Sequence, residues 1–198
     1  MLSVLPILFY VFFLNFIELQ DNLNKFIALS IWFITLHILF WATIEEILKY
    51  LVVKINLKNS ELDEPIDIML YMIIAGLGFA AFENILILIG AHPLFTLPDI
   101  FILTFFRFIT ATFLHALCSG VIGYFWALSF YQTKQKKKLF FTGLILASLL
   151  HGFYNFAIIV IGGIEGILII ITILIGLFIF TLLAFPKLKK IKSICIIK

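Results

Sequence analysis

The chain has 198 residues, 64% of them hydrophobic and 13% charged, with a formal net charge of +3 and a mean hydropathy of +1.21. A water-soluble domain carries roughly 45–50% apolar and about 25% charged residues, so this composition excludes a soluble globular protein and makes lipid the solvent. The small positive charge gives no nucleic-acid footprint, and two cysteines, Cys118 and Cys195, give neither a disulfide framework nor a metal-type Cys spacing.

A spanning helix needs about 20 mostly apolar residues. Runs of that kind cover Leu2–Ile17, Phe26–Val53, Ile66–Gly90, Phe101–Phe130, Leu139–Ile161 and Ile164–Phe185. The first has no Lys or Arg before it and no small-x-small cleavage site after it, so it is expected as a retained span, kinked or started at Pro6. The second and fourth exceed the hydrocarbon thickness and are expected to tilt or project. Asp21–Lys25, the stretch from His92-Pro93 to Pro98-Asp99, and Gly162-Gly163 are the expected breaks. No repeat, linker or second domain is visible. The expected fold is therefore all-α: one integral membrane domain over residues 1–198, a polytopic bundle of about six spans.

Basic residues orient it. Lys54 and Lys58 follow the second span. Lys134, Lys136, Lys137 and Lys138 follow the fourth, and Lys187, Lys189, Lys190, Lys192 and Lys198 the sixth. These are eleven of the fourteen basic residues, and the opposite loops hold Lys25 alone. The positive-inside rule then predicts a multi-pass protein of the plasma membrane with both termini in the cytoplasm.

Ionisable groups inside spans cost about 2.5–3.5 kcal/mol each on insertion scales and mark function by default. The second span carries Glu45, Glu46 and Lys49, the third Glu83 and Asn84, the fourth Arg107 and His115, the fifth His151 and Asn155. Lys49 is three residues from Glu46 and four from Glu45, within reach of either on one helix face. Small residues precede polar ones at helical spacing: Gly143 and Ala147 lead to His151 and Asn155, and Gly76 and Ala80 lead to Glu83 and Asn84. Such residues let helices approach closely. Counting the helical rise puts Glu45 and Glu46 roughly 10 Å from the cytoplasmic ends and His151 roughly 18 Å, with His115 about as deep. Glu83 and Arg107 fall nearer the outer face. Two polar layers are expected: a site of two carboxylates, two imidazoles and Asn155, and a separate Arg107–Glu83 ion pair ordering the third and fourth spans. The first has the parts for hydrolysis: a Glu to take a proton from water, a His to share that work, and Asn155 with a His to stabilise an oxyanion. His37 is expected as a packing or interfacial group, and Cys118, one turn from His115, as packing rather than a nucleophile.

Glu45-Glu46-x-x-Lys49, then Gly78-Phe79-Ala80-Ala81-Phe82-Glu83-Asn84, then Arg107 with His115, then His151-Gly152-Phe153-Tyr154-Asn155 resembles the PrsW intramembrane proteases, relatives of the CAAX prenyl endopeptidases and bacteriocin-processing enzymes. The resemblance runs from Thr43 to Asn155. It implies an endopeptidase acting on a membrane-associated protein such as an anti-sigma factor, with Glu45, Glu46, His115, His151 and Asn155 catalytic and Lys49, Glu83, Asn84 and Arg107 in support. The preferred expectation needs no cofactor. A zinc-dependent version of the same protease would use Glu45, Glu46, His115 and His151 as ligands. The same groups would also suit a proton-coupled transporter, which predicts helices unwound at midplane and a polar path between both faces, whereas a non-catalytic scaffold predicts no dependence on them. Oligomeric state, substrate and cleaved bond are not legible.

Overall fold

The computed structural model describes residues 23–57, 64–91 and 96–191. The span expected over Leu2–Ile17 and the tail holding Cys195 lie outside them. In lipid, backbone donors and acceptors have no water to pair with, so a spanning segment must satisfy them internally. The long apolar runs do so as helices: α1 (Leu23–Leu57), α2 (Pro65–Ala91), α3 (Leu97–Tyr131), α4 (Lys136–Phe156) and α5 (Gly163–Lys189). All five are long and apolar enough to cross a membrane, and no strand occurs among the described residues. With 35 residues each, α1 and α3 extend about 52 Å, well beyond a bilayer core.

The ends follow local chemistry. α2 opens on Pro65, whose missing N–H is not needed there, and the backbone N–H of Glu64 donates to Asp67 Oδ2 at 2.8 Å. α3 begins four residues earlier than the apolar run, at Leu97, with Pro98 in its first turn and Thr96 Oγ1 donating to Asp99 Oδ2 at 2.5 Å. Pro98-Asp99, expected as part of a break, is thus a helix start, and the expected break at Asp21–Lys25 is likewise shortened because α1 is already helical at Leu23. Gly162-Gly163 does end a helix: both residues have positive φ, 62° and 55°, a region open to glycine without a Cβ penalty. Before it, Ala157–Ile161 forms a wide π turn directly after Phe156.

α3 is the hub. Its contact with α2 is the most extensive in the bundle, and it also packs on α4 and α5, while α1 lies chiefly against α4. Met69 and Met72 of α2, Leu114, Val121 and Ile122 of α3, Ala147 of α4 and Leu177 of α5 form the shared apolar core. Gly76 sets the α2–α3 distance: a Cβ there would lie 2.6 Å from the carbonyl oxygen of His115 and 2.6 Å from Ser119 Oγ. The outward faces carry Trp32, Phe101, Phe108 and Ile164, all more than 60% exposed, as lipid-facing residues should be. The interior holds the charges instead.

Candidate active site

One stripe of α1, Ile38, Ala42, Glu45, Glu46, Lys49 and Val53, is buried. The step of three to four residues keeps these side chains on one face, so a helix that buries Ala42 and Val53 must also bury the acids and the lysine between them. The structure brings Glu45, Glu46, Lys49, His115 and His151 together, each at most 2% exposed, with Glu83 beside them at 7%.

The contacts form one continuous chain. Arg107 Nη2 lies 3.1 Å from Glu83 Oε1. The other Glu83 oxygen, Oε2, is 2.7 Å from His115 Nε2. His115 Nδ1 is 2.8 Å from Lys49 Nζ, and Lys49 Nζ is 2.5 Å from Glu46 Oε1. His151 Nδ1 reaches that same Glu46 oxygen at 2.8 Å, and His151 Nε2 stands 3.6 Å from Glu45 Oε2. The two imidazoles meet edge to face, with centroids 4.8 Å apart at 84°.

Hydrogen-bond chemistry fixes the ring protons. An ammonium only donates, so His115 Nδ1 accepts from Lys49, and the ring N–H of His115 is on Nε2, donating to Glu83. A carboxylate already paired with Lys49 only accepts, so His151 donates to Glu46 through Nδ1–H. His115 therefore has Nε2 held by Glu83 and its Nδ1 lone pair on Lys49, and His151 has Nδ1 held by Glu46 with Nε2 facing Glu45 Oε2. Glu45 Oε2 and Glu46 Oε2 are buried without a hydrogen-bond partner, as are the hydroxyls of Ser119 and Ser148. Ligand atoms of Glu45, His115 and His151 lie within 4.8 Å of one another, close enough to hold a metal ion.

Two sequence expectations change. The Arg107–Glu83 pair is not a separate outer layer, because Glu83 bridges Arg107 to His115. Counting heights along each helix overstated the separation, since the two Glu83 oxygens reach different partners, Arg107 and His115. Lys49, as expected within reach of an acid on its own helix face, pairs with Glu46, and its second partner is a histidine from another helix. Asn155, expected beside the acids and imidazoles, is half-buried and forms no hydrogen bond with them. Asn84 does take part, accepting from Arg107 Nε at 3.3 Å and donating to Thr112 Oγ1 at 3.2 Å.

Residues missed in the sequence also appear. Tyr154 is buried and donates to Thr110 Oγ1 at 2.7 Å, tying α4 to α3 one turn from His151. The Phe79 ring lies 5.1 Å from Lys49 Nζ and 5.5 Å from the His115 ring, covering both. Thr110, Thr112 and Tyr154 read as ordinary span residues; the one available signal was the helical spacing of Tyr154 from His151. His37 accepts from Trp41 Nε1 at 3.0 Å, and Cys118 is packed in the core.

The family model described as PrsW family intramembrane metalloprotease matches residues 1–184. The chain is 32% identical over 119 residues to Protease PrsW of Shouchella clausii, covering 60% of this chain and 52% of the relative. It is 33% identical over 116 residues to Protease PrsW of Oceanobacillus iheyensis, covering 58% and 50%, and 32% identical over 118 residues to that of Bacillus subtilis, covering 57% and 49%. The chain thus spans about half the length of the curated relatives it matches. No solved structure matches it. With four polar motifs gathered from four apolar helices and a family match over nearly the whole chain, this multi-pass membrane protein belongs to the PrsW family of intramembrane metalloproteases.

Proposed function

We propose that the chain is an intramembrane endopeptidase that hydrolyses a peptide bond of a membrane-associated protein, with an anti-sigma factor as the substrate class suggested by the resemblance. The observation that carries this is the convergence of Glu45, Glu46, His115 and His151 in one buried layer, where bulk water is excluded and electrostatic interactions are strong. Its basic ends, Lys54 on α1, Lys136 to Lys138 on α4 and Lys187 and Lys189 on α5, favour a cytoplasmic C-terminus in the plasma membrane.

The donor set fits a metal. Glu45, His115 and His151 offer one carboxylate and two imidazoles, a zinc-type set. Both imidazoles have their other nitrogen on a carboxylate, the usual support of metal-bound histidine. Charge points the same way: Glu45, Glu46 and Glu83 face only two permanent cations, Lys49 and Arg107, leaving one negative charge to be balanced by a cation or a proton near Glu45. When bound, zinc would polarise the scissile carbonyl and ease deprotonation of water. In the protein's own steps, Glu46, whose Oε2 is free, accepts the proton of the attacking water. The water oxygen bonds to the carbonyl carbon, the C–N bond breaks, and the proton passes from Glu46 to the leaving amine. Glu83 and Glu46 hold the imidazoles in place.

The test is cleavage of a co-expressed single-span anti-sigma factor by purified Glu45→Gln, Glu46→Gln, His115→Ala and His151→Ala variants. Loss of at least about 100-fold in each, with helix content retained, is expected. Unchanged cleavage by all four variants would remove the proposal.

A further inference from the structure

We infer that Lys49 is an internal competitor for the metal site, occupying the lone pair of His115 that a metal ion would use, so that metal entry and the Lys49–His115 contact exclude each other. This rests on the proposal that Glu45, His115 and His151 hold a metal.

The geometry leaves His115 a single free lone pair. Its Nε2 is committed to Glu83 at 2.7 Å, and its Nδ1 accepts from Lys49 Nζ at 2.8 Å. A metal ligated by His115 must bind through Nδ1, since the hydrogen on Nε2 is held by a buried carboxylate. The ammonium and the metal therefore want the same electron pair, and they also repel as like charges in a low-dielectric interior.

Lys49 has somewhere to go. It keeps its ion pair with Glu46 Oε1 when it releases His115, and the face of Phe79, 5.1 Å from its Nζ, stabilises a cation moved off the imidazole. Its long flexible stem makes that shift a side-chain movement with no helix displacement. In the metal-free protein the lysine keeps His115 in the tautomer needed for ligation. Lys49 is thus a positioning residue: it sets the metal affinity of the site and preserves its geometry between metal-bound states.

Direct zinc binding tests this, with the ion itself as the probe and no cleavage assay. The full chain is purified in detergent, stripped with a chelator, and titrated against zinc buffered by a competing chromophoric chelator. One site per chain is expected, lost in His151→Ala. Lys49→Met should bind zinc at least about tenfold tighter than wild type, the effect of removing a competitor, and Lys49→Arg, which keeps the charge, should show no such gain. Glu83→Gln should bind about 10–100-fold more weakly, as for loss of a carboxylate behind a ligating histidine. If Lys49→Met does not fold, Lys49→Gln, which keeps a hydrogen bond to Glu46 without the charge, replaces it. A site lost in His151→Ala but no tighter in the charge-free variant overturns the competitor role and leaves the metal proposal standing. No saturable site in wild type or in either variant overturns both.

Discussion

Glu46→Gln removes one charge from the most buried ion pair among the described residues. Glu46 is 0% and Lys49 1% exposed, and their charged atoms are 2.5 Å apart. Glutamine keeps an acceptor oxygen for His151 Nδ1, so that hydrogen bond survives and the loss is that of the charge opposite Lys49. Leaving one member of a buried pair uncompensated costs about 3–5 kcal/mol. For a chain of this size each kcal/mol lowers Tm by about 2–4 °C, so Glu46→Gln should melt about 6–20 °C below wild type. Lys49→Met added to it removes the stranded cation, and the double variant should return to within about 1–2 kcal/mol of wild type, because an apolar residue of similar size replaces a buried ion nearly neutrally. Thermal unfolding followed by tryptophan fluorescence in one detergent, without metal, measures all four corners of the cycle. Additive losses, or a Glu46→Gln melt within 2–3 °C of wild type (about 1 kcal/mol), would mean that the two charges do not depend on each other and that their shared burial is wrong.

Two further outcomes are expected. Gly76→Ala puts a Cβ 2.6 Å from the His115 carbonyl oxygen, so α2 and α3 must separate; a loss of about 1–3 kcal/mol on thermal unfolding should come with weaker zinc binding, since His115 moves with its helix. Stripping the protein with a chelator should abolish cleavage and zinc should restore it, and zinc at about 100 times its dissociation constant should raise stability by about 2.7 kcal/mol, read as a rise in Tm absent from His151→Ala.

The class and spans were legible because lipid imposes one rule on every spanning residue: apolar outside and backbone paired within. The ionisable residues stood out against that background, so Glu45, Glu46, Lys49, Glu83, Arg107, His115 and His151 could be named from their rarity. Their pairing was less legible. The sequence gives height only along each helix, whereas how closely the helices approach, as at Gly76, decides which heights meet. That is why Glu83 and Arg107 were expected in a separate layer. The Thr110 and Thr112 hydroxyls were silent because threonine commonly bonds its own helix's carbonyls, as Thr35 does with Ile31 and Thr43 with Leu39.

The order of charges along the network predicts an unusual variant. Arg107, Glu83, His115, Lys49, Glu46 and His151 alternate so that every charged group has an opposite or hydrogen-bonding neighbour within 3.1 Å. Glu45 ends the series. Its nearest ionisable contact is His151 Nε2 at 3.6 Å, and its Oε2 has no hydrogen-bond partner. If Glu45 is a metal ligand as proposed, its carboxylate is held for that ligand at the expense of the fold, the usual trade between activity and stability. Glu45→Gln removes that charge while keeping the shape, so in chelator at alkaline pH, where no proton neutralises the carboxylate, it should raise stability by about 1–2 kcal/mol, a Tm gain of about 2–8 °C, while abolishing cleavage and zinc binding. A purely structural carboxylate would give the opposite sign. A fall in Tm for metal-free Glu45→Gln would show that Glu45 is a support of the bundle and not the open end of its site.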